Sequence, residues 1–215
     1  MCEADYSRFV VNWLSERQYP VIGTEVRAMS GIVDVACITK QTSWTNEMLS
    51  ALATPSCAIV MRVLSVNGPS SAEVLSQLSG LAMSTVRRVS TRLVKQNLAT
   101  EAGGRFSLLT RNPKINGELW AIEVKLSDWR QALYQAVRCK QYADRVFVAM
   151  PAEKAPLLRK QRGYFDPHGV GVLLLERDGS VSTLWNGLRF RNTCSAQKLF
   201  VVAGLLSSVH AVRNV

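Results

Sequence analysis

The sequence predicts an α/β fold: a mixed central sheet flanked by helices, with a mostly helical segment set into its middle. Three observations carry that prediction. Short apolar runs of strand character at 31–38, 119–126, 145–150 and 169–176 alternate with stretches of helical periodicity. Between 45 and 109 the texture changes to helix, helix, helix and hairpin. The 215 residues are 47% hydrophobic, which supplies a core and allows one large domain or two small ones.

Residues 4–17 read as an amphipathic helix, because Tyr6, Phe9, Val10, Trp13 and Leu14 recur on one face. Tyr19-Pro20 ends it. Strands at 21–27 and 31–38 follow, joined as a hairpin through Ala28-Met29-Ser30-Gly31. The second run is apolar nearly throughout, which suits a strand buried on both faces. Asp34 interrupts it. A carboxylate there costs free energy unless it is paired or bound to a cation.

Helices are then expected at 46–53, at 57–66, from a cap at Ser70 or Ser71 to about 78, and from a cap at Ser84 to 94 or 96. Pro55, Asn67-Gly68-Pro69 and Gly80 separate them. Residues 98–101 and 105–109 close a hairpin around Gly103-Gly104. This order is that of a winged helix-turn-helix, whose second helix can lie in a DNA major groove, although many winged helices bind protein or only dimerise. Arg87, Arg88, Arg92 and Lys95 lie on the expected recognition helix, and Arg105 lies beside the tip of the wing. A small helical bundle is the competing reading of the segment, and a solvated face that of Arg87-Arg88.

Arg111, Asn112, Pro113, Lys114 and Asn116-Gly117 read as a loop. A strand at 119–126 leads to a helix from 129 to about 142, capped by Ser127 or Asp128. A strand at 145–150 stops at Pro151, and 152–162 reads as one helix with Arg159, Lys160 and Arg162 at its basic end. Strands at 169–176 and 181–185 flank Asp178-Gly179, and a last helix runs from 195 to about 212.

The charge points to a partner. Twenty-six Lys and Arg against 16 Asp and Glu leave +10, which favours a polyanion, either nucleic acid or an anionic membrane surface. No apolar run approaches the ~20 residues that cross a bilayer. The 195–212 helix carries few of the cations that surface binding needs, so no membrane partner is expected. Cys2, Cys37, Cys57, Cys139 and Cys194 are scattered without a CxxC pair, and His168 and His210 are the only histidines, which argues against structural zinc. The five cysteines read as small apolar residues. Their odd count and the acidic start, without an apolar leader run, point to a reducing cytoplasm.

The chemistry concentrates in Ile122-Glu123-Val124-Lys125. Strand alternation puts Glu123 and Lys125 on one face. With Asp34 on a neighbouring strand they form Asp…Glu-x-Lys. Two carboxylates suit Mg²⁺ or Mn²⁺, and the lysine suits an attacking water or a charged phosphate. A structural ion pair within a sheet is the competing reading.

In the order helix, strand pair with Asp34, Glu123-x-Lys125 strand, helix and strand, the chain resembles the PD-(D/E)xK nuclease superfamily, including its resolvase-like and repair-type members. The resemblance covers 3–37 and 119–185. It implies a restriction-endonuclease-like sheet and a metal-dependent DNA endonuclease with Asp34, Glu123 and Lys125 as catalytic residues. It also implies a supporting acid, for which Glu25 is preferred over Glu16, a solvent-facing strand residue being the competing reading of Glu25. Gln135 and Tyr142, seven apart on one helical face, are candidate substrate contacts, with plain helix packing the favoured competing reading. Two departures stand out: the residue before Asp34 is Val33 rather than proline, and a whole segment separates the Asp strand from the Glu-x-Lys strand. The simplest account is an insertion, giving a discontinuous nuclease-like domain, 1–43 and 111–215, around a winged helix at 44–110. Cutting both strands of a duplex suits a homodimer. The alternative function is a DNA-binding regulator or scaffold that keeps the fold without turnover.

Overall fold

Helix α1 (Glu3–Glu16) forms because its apolar residues fall on one stripe and its first turn is acidic. Asp5 accepts the Cys2 N–H at 2.8 Å, satisfying one of the donors that a helix start leaves open. The structure, a computed structural model, describes residues 2–109, 113–190 and 195–213, with side chains to 209. Arg111 and Asn112 of the expected loop, Cys194 and the side chain of His210 lie outside that description.

The chain is mixed α/β. Strands β1 (Val21–Ala28) and β2 (Gly31–Ile38) form a tight hairpin that closes at Ala28↔Gly31. Strands β3 (Ser70–Ser71), β4 (Ala99–Ala102) and β5 (Arg105–Leu108) form a small sheet of order β3-β5-β4. Strands β6 (Leu119–Val124), β7 (Arg145–Pro151), β8 (Gly171–Leu175) and β9 (Val181–Trp185) join the first hairpin in a six-stranded sheet of order β1-β2-β6-β7-β8-β9. β6, β7 and β8 are parallel, and the outer pairings are antiparallel.

Both faces of the large sheet are covered, which explains its apolar strands. Tyr6, Val10, Trp13 and Leu14 of α1 pack on Val35, Cys37, Ile122, Val124 and Phe147. On the opposite face, α6 (Trp129–Cys139) and α9 (Ala196–Arg213) bury Ala132, Ala136, Val202 and Leu205 against Ala36, Ile38, Ala121 and Val148. A buried ion pair pins α9: Lys198 Nζ lies 2.6 and 2.7 Å from the two oxygens of Asp144, and Asp144 also accepts the Leu119 N–H at 2.8 Å.

The chain leaves this sheet after Ile38 and returns at Leu119, and the two crossings are fastened together. Thr39 N–H donates to the Glu118 carbonyl at 3.0 Å, and Thr39 Oγ1 accepts the Glu118 N–H at 2.9 Å. Gly117 is required beside them, because a Cβ there would come within 2.5 Å of Thr39 Oγ1 and its φ is +73°. Between the crossings lie α2 (Asn46–Leu52), α3 (Pro55–Asn67), α4 (Ala72–Ser79) and α5 (Met83–Lys95) with the small sheet. Thr45 and Ser71 cap α2 and α4 by accepting the Met48 and Val74 N–H groups. Leu52, Met61, Leu75, Val86, Leu93 and Phe106 of this segment belong to the same hydrophobic cluster as α9, so its core is continuous with the large sheet's.

Several boundaries differ from expectation; β6 itself ends at Val124 rather than at 126, which leaves Lys125 just beyond the strand. Ser84 is not a cap: α5 begins at Met83, after Ala82, and Ser84 is exposed. Residues 152–162 are not one helix. They form a 3-10 turn, α7 (Ala155–Lys160) and the start of α8 (Arg162–Phe165), because Pro156 has no N–H to continue a helix from the preceding turn. α6 stops at Cys139, which leaves Tyr142 beyond it. The strand expected at 169–176 begins at Gly171, since Gly169 is left-handed at φ +65° and ends the preceding 3-10 turn. Among the described residues no single helix is long and apolar enough to cross a membrane; α2 and α3 reach that composition only as a pair bent by 108°.

Candidate functional site

Asp34 sits where two strands part. The β2–β6 register runs from Ile38↔Leu119 to Val35↔Ile122, and Asp34 is the next residue of β2. Its Oδ2 accepts the Val124 N–H at 2.7 Å, so the carboxylate takes a donor that a continued ladder would have satisfied. Across the sheet the pairing of β6 continues, and Lys125 N–H still donates to Ala149 at 3.1 Å. The opening is therefore on the β2 side of β6.

Lys125 spans that opening. Its Nζ donates to Glu3 Oε2 at 3.1 Å and to the Val124 carbonyl at 3.0 Å, and lies 3.6 Å from Asp34 Oδ2. Burial works to lower its pKa. The Glu3 hydrogen bond and the charges of Asp34, Glu3 and Glu123 outweigh burial and raise it, so the ammonium stays charged.

Glu123 occupies a position on β6 where an apolar residue would be expected. It shares the α6 face with Ala121 and is only 2% exposed. Burial, then the adjacent Asp34 charge, pushes its pKa up to about 7, against opposing pulls from the Cys139 thiol and Lys125. Cys139 Sγ lies 3.5 Å from Glu123 Oε1, and Tyr142 donates to Cys139 Sγ at 3.1 Å. A cavity of about 100 Å³ beside Glu123 is lined by Gly31, Ile32, Gln135, Arg138, Cys139 and Tyr142 among others. Gln135 Oε1 is buried there without a donor among the described residues.

The structure thus brings Asp34, Glu123 and Lys125 together. Gln135 and Tyr142 line the cavity from different elements rather than one helical face, and Tyr142 is 1% exposed. Glu25 lies opposite Asp34, between the pairs Thr24↔Val35 and Val26↔Val33, but is exposed. Its φ of +50° is rare for a residue with a Cβ. It explains how Gly23, which abuts Leu205, and Val26 both face α9 despite their odd separation. Glu16 is exposed at the far end of α1 from Glu3. Among the described residues no three His, Cys, Asp or Glu side chains form a metal-holding group.

Sequence reasoning missed Glu3 and Cys139. Glu3 opens α1 within the acidic first turn, a signal for a helix start that says nothing of the distant Lys125. Cys139 follows Gln135 by four residues, so helical spacing places both toward one cavity.

On α5, Val86, Val89, Ser90 and Leu93 are buried, while Arg87, Arg88 and Lys95 are exposed. Arg87 lies 3.7 Å from Glu73 of α4 in an exposed pair. Arg92 instead turns back to α2, donating to the Ser50 carbonyl at 2.8 Å and its hydroxyl at 3.2 Å. Arg105 is exposed at the start of β5. A wider cleft, about 640 Å³, lies elsewhere, at the ends of β7 and β8, lined by Glu153, Glu176, Asp178 and Arg177. No family model, curated protein or solved structure matches this chain.

Proposed function

We propose that this protein is a metal-dependent DNA endonuclease of PD-(D/E)xK type, with 44–110 acting as an inserted winged-helix domain that holds the duplex. One observation carries the reading: Asp34, Glu123 and Lys125 meet where β2 and β6 separate. A buried ion pair serving structure alone needs one carboxylate per lysine. Here a second carboxylate, Glu123, is buried beside Asp34, and burial first and the Asp34 charge second make its ionised form costly. Oxygen donors around uncompensated negative charge fit a hard divalent cation.

Asp34 and Glu123 would hold Mg²⁺ or Mn²⁺. When bound, such a cation supplies Lewis-acid polarisation of the phosphodiester and a more acidic water. The chain's own residues do the rest. Lys125, kept charged, stabilises negative charge developing on the phosphate as water adds to phosphorus and the P–O bond breaks. Glu3 positions Lys125 by accepting its proton in a hydrogen bond. The exposed α5 stripe of Arg87, Arg88 and Lys95, with Arg105, supplies phosphate contacts.

A cleavage panel of duplex, nicked, branched and single-stranded DNA, with and without Mg²⁺, tests the reading. Cutting should require the metal, and Asp34→Asn and Lys125→Ala should each lose at least a hundredfold in rate while DNA affinity stays within a few-fold. Full cleavage by both variants, from preparations free of contaminating nuclease, would rule out this site. The 3.1 Å Lys125–Glu3 pair also suits a second reading, a DNA-binding scaffold without turnover. Calorimetric titration of Mg²⁺ separates the two: heat that disappears in Glu123→Gln supports the nuclease, and no heat supports the scaffold.

A further inference from the structure

The outward face of α6 has features that the cutting site alone does not explain. Arg130, Tyr134 and Arg138 stand four residues apart and share one face. Tyr134 is 66% exposed, an aromatic ring left in water on a helix that contains no acidic residue. The Arg138 guanidinium lies 6.0 Å from its ring centroid, at the outer limit of a cation–π contact. Arg130 leans over Trp129 at 4.8 Å, and its charge stays at the surface.

This face leads to the carboxylates. A Cβ on Gly31 would come within 3.2 Å of the Arg138 guanidinium, so Arg138 lies across the tip of the β1–β2 hairpin. With Ile32, itself 56% exposed, Arg138 forms the rim of the cavity that contains Glu123.

The chemistry selects an occupant. Two arginines whose backbones lie about 12 Å apart along the helix suit successive stretches of a phosphate backbone. The ring between them can stack on a base only if that base is free of its neighbours. In a duplex the base faces are already covered, whereas in a single strand they are available. A protein partner would call for a contiguous apolar patch, whereas here the exposed Tyr134, Ile32 and Tyr164 are set among arginines.

We infer that the Arg130–Tyr134–Arg138 face of α6 binds an unpaired DNA strand, with one base stacked on Tyr134, and leads that strand to the Asp34–Glu123–Lys125 cluster. The binding stands by itself; only the fate of the strand rests on the nuclease reading. Substrates with single-stranded character, such as flaps, gaps or splayed junctions, are then preferred to plain duplex.

Fluorescence anisotropy in EDTA tests it, using labelled oligothymidylate and a hairpin duplex of equal length. Tyr134→Ala should weaken oligothymidylate binding by about tenfold, within the range for loss of one stacked base. Tyr134→Trp should restore it, and duplex binding should change less than twofold. Arg130→Ala should flatten the salt dependence of oligothymidylate binding. Unchanged oligothymidylate affinity in Tyr134→Ala, or equal losses on both probes, overturns the inference. A protein that binds as expected yet cuts nothing with Mg²⁺ overturns the nuclease reading alone. One that cuts duplex while Tyr134→Ala binds oligothymidylate normally overturns the strand-binding face alone.

Discussion

Glu123 is the residue at which stability and the proposed chemistry conflict. Its folded pKa of about 7 lies above the ordinary 4.5, so the folded chain holds a proton that the unfolded chain has lost. Stability is full below pH 4.5 and falls as pH rises toward 7, by on the order of 3 kcal/mol once Glu123 is ionised. Without metal, Glu123→Gln should therefore melt higher than the parent at pH 8 and close to it at pH 4.5, as read by thermal unfolding. Mg²⁺ should raise the parent's melting temperature at pH 8 and leave that of Glu123→Gln unchanged. The nearness of Asp34, Glu123 and Lys125 was legible because β2 and β6 are neighbours and Glu123 and Lys125 are two residues apart, although Lys125 lies just past the end of β6 and reaches toward α1. The roles of Glu3 and Cys139 were not, since Glu3 reaches Lys125 across 122 residues of chain and Cys139 acts through a thiol contact that no motif encodes.

Among the elements, α9 and α5 show where side chains go when periodicity alone cannot say. α9 is apolar on the face that packs against the sheet, yet its Lys198 is buried against Asp144. Lys198→Met leaves that carboxylate in the core without its counter-charge, held among the described residues only by the Leu119 N–H, and should cost about 3–5 kcal/mol in urea unfolding. Adding Asp144→Asn should recover a large part of the loss. On α5 the same logic separates neighbouring arginines. Arg92→Ala removes two hydrogen bonds to Ser50 and should destabilise by about 1 kcal/mol, whereas Arg88→Glu should leave the melting temperature alone and weaken duplex binding. The sequence pattern distinguishes buried from exposed faces of α5, but it cannot show that Arg92 finds an acceptor 42 residues earlier. The long elements were legible in type and place, although α5 begins earlier and α6 ends sooner than the pattern predicts. The short ones failed where one residue decides: Pro156 breaks a helix, Gly169 delays a strand, and a two-residue β3 gives no periodic signal at all.

At the scale of the whole molecule, the order of elements along the chain was readable, while the packing between distant pieces was not. Nothing in 45–109 announces that its core is continuous with α9, because that contact is made by side chains far apart in sequence. The clasp of Thr39 on Glu118 has a kinetic meaning. β2 must find β6 across roughly 80 residues, a long loop to close by diffusion. If α2 to β5 collapse first, their two ends arrive already side by side, and the search shrinks to the few bonds around Thr39 and Gly117. Assembly of the sheet that carries Asp34 and Glu123 would then wait on the segment folded between them. Mutations that slow that segment's collapse should delay the formation of the site even when the final stability is unchanged.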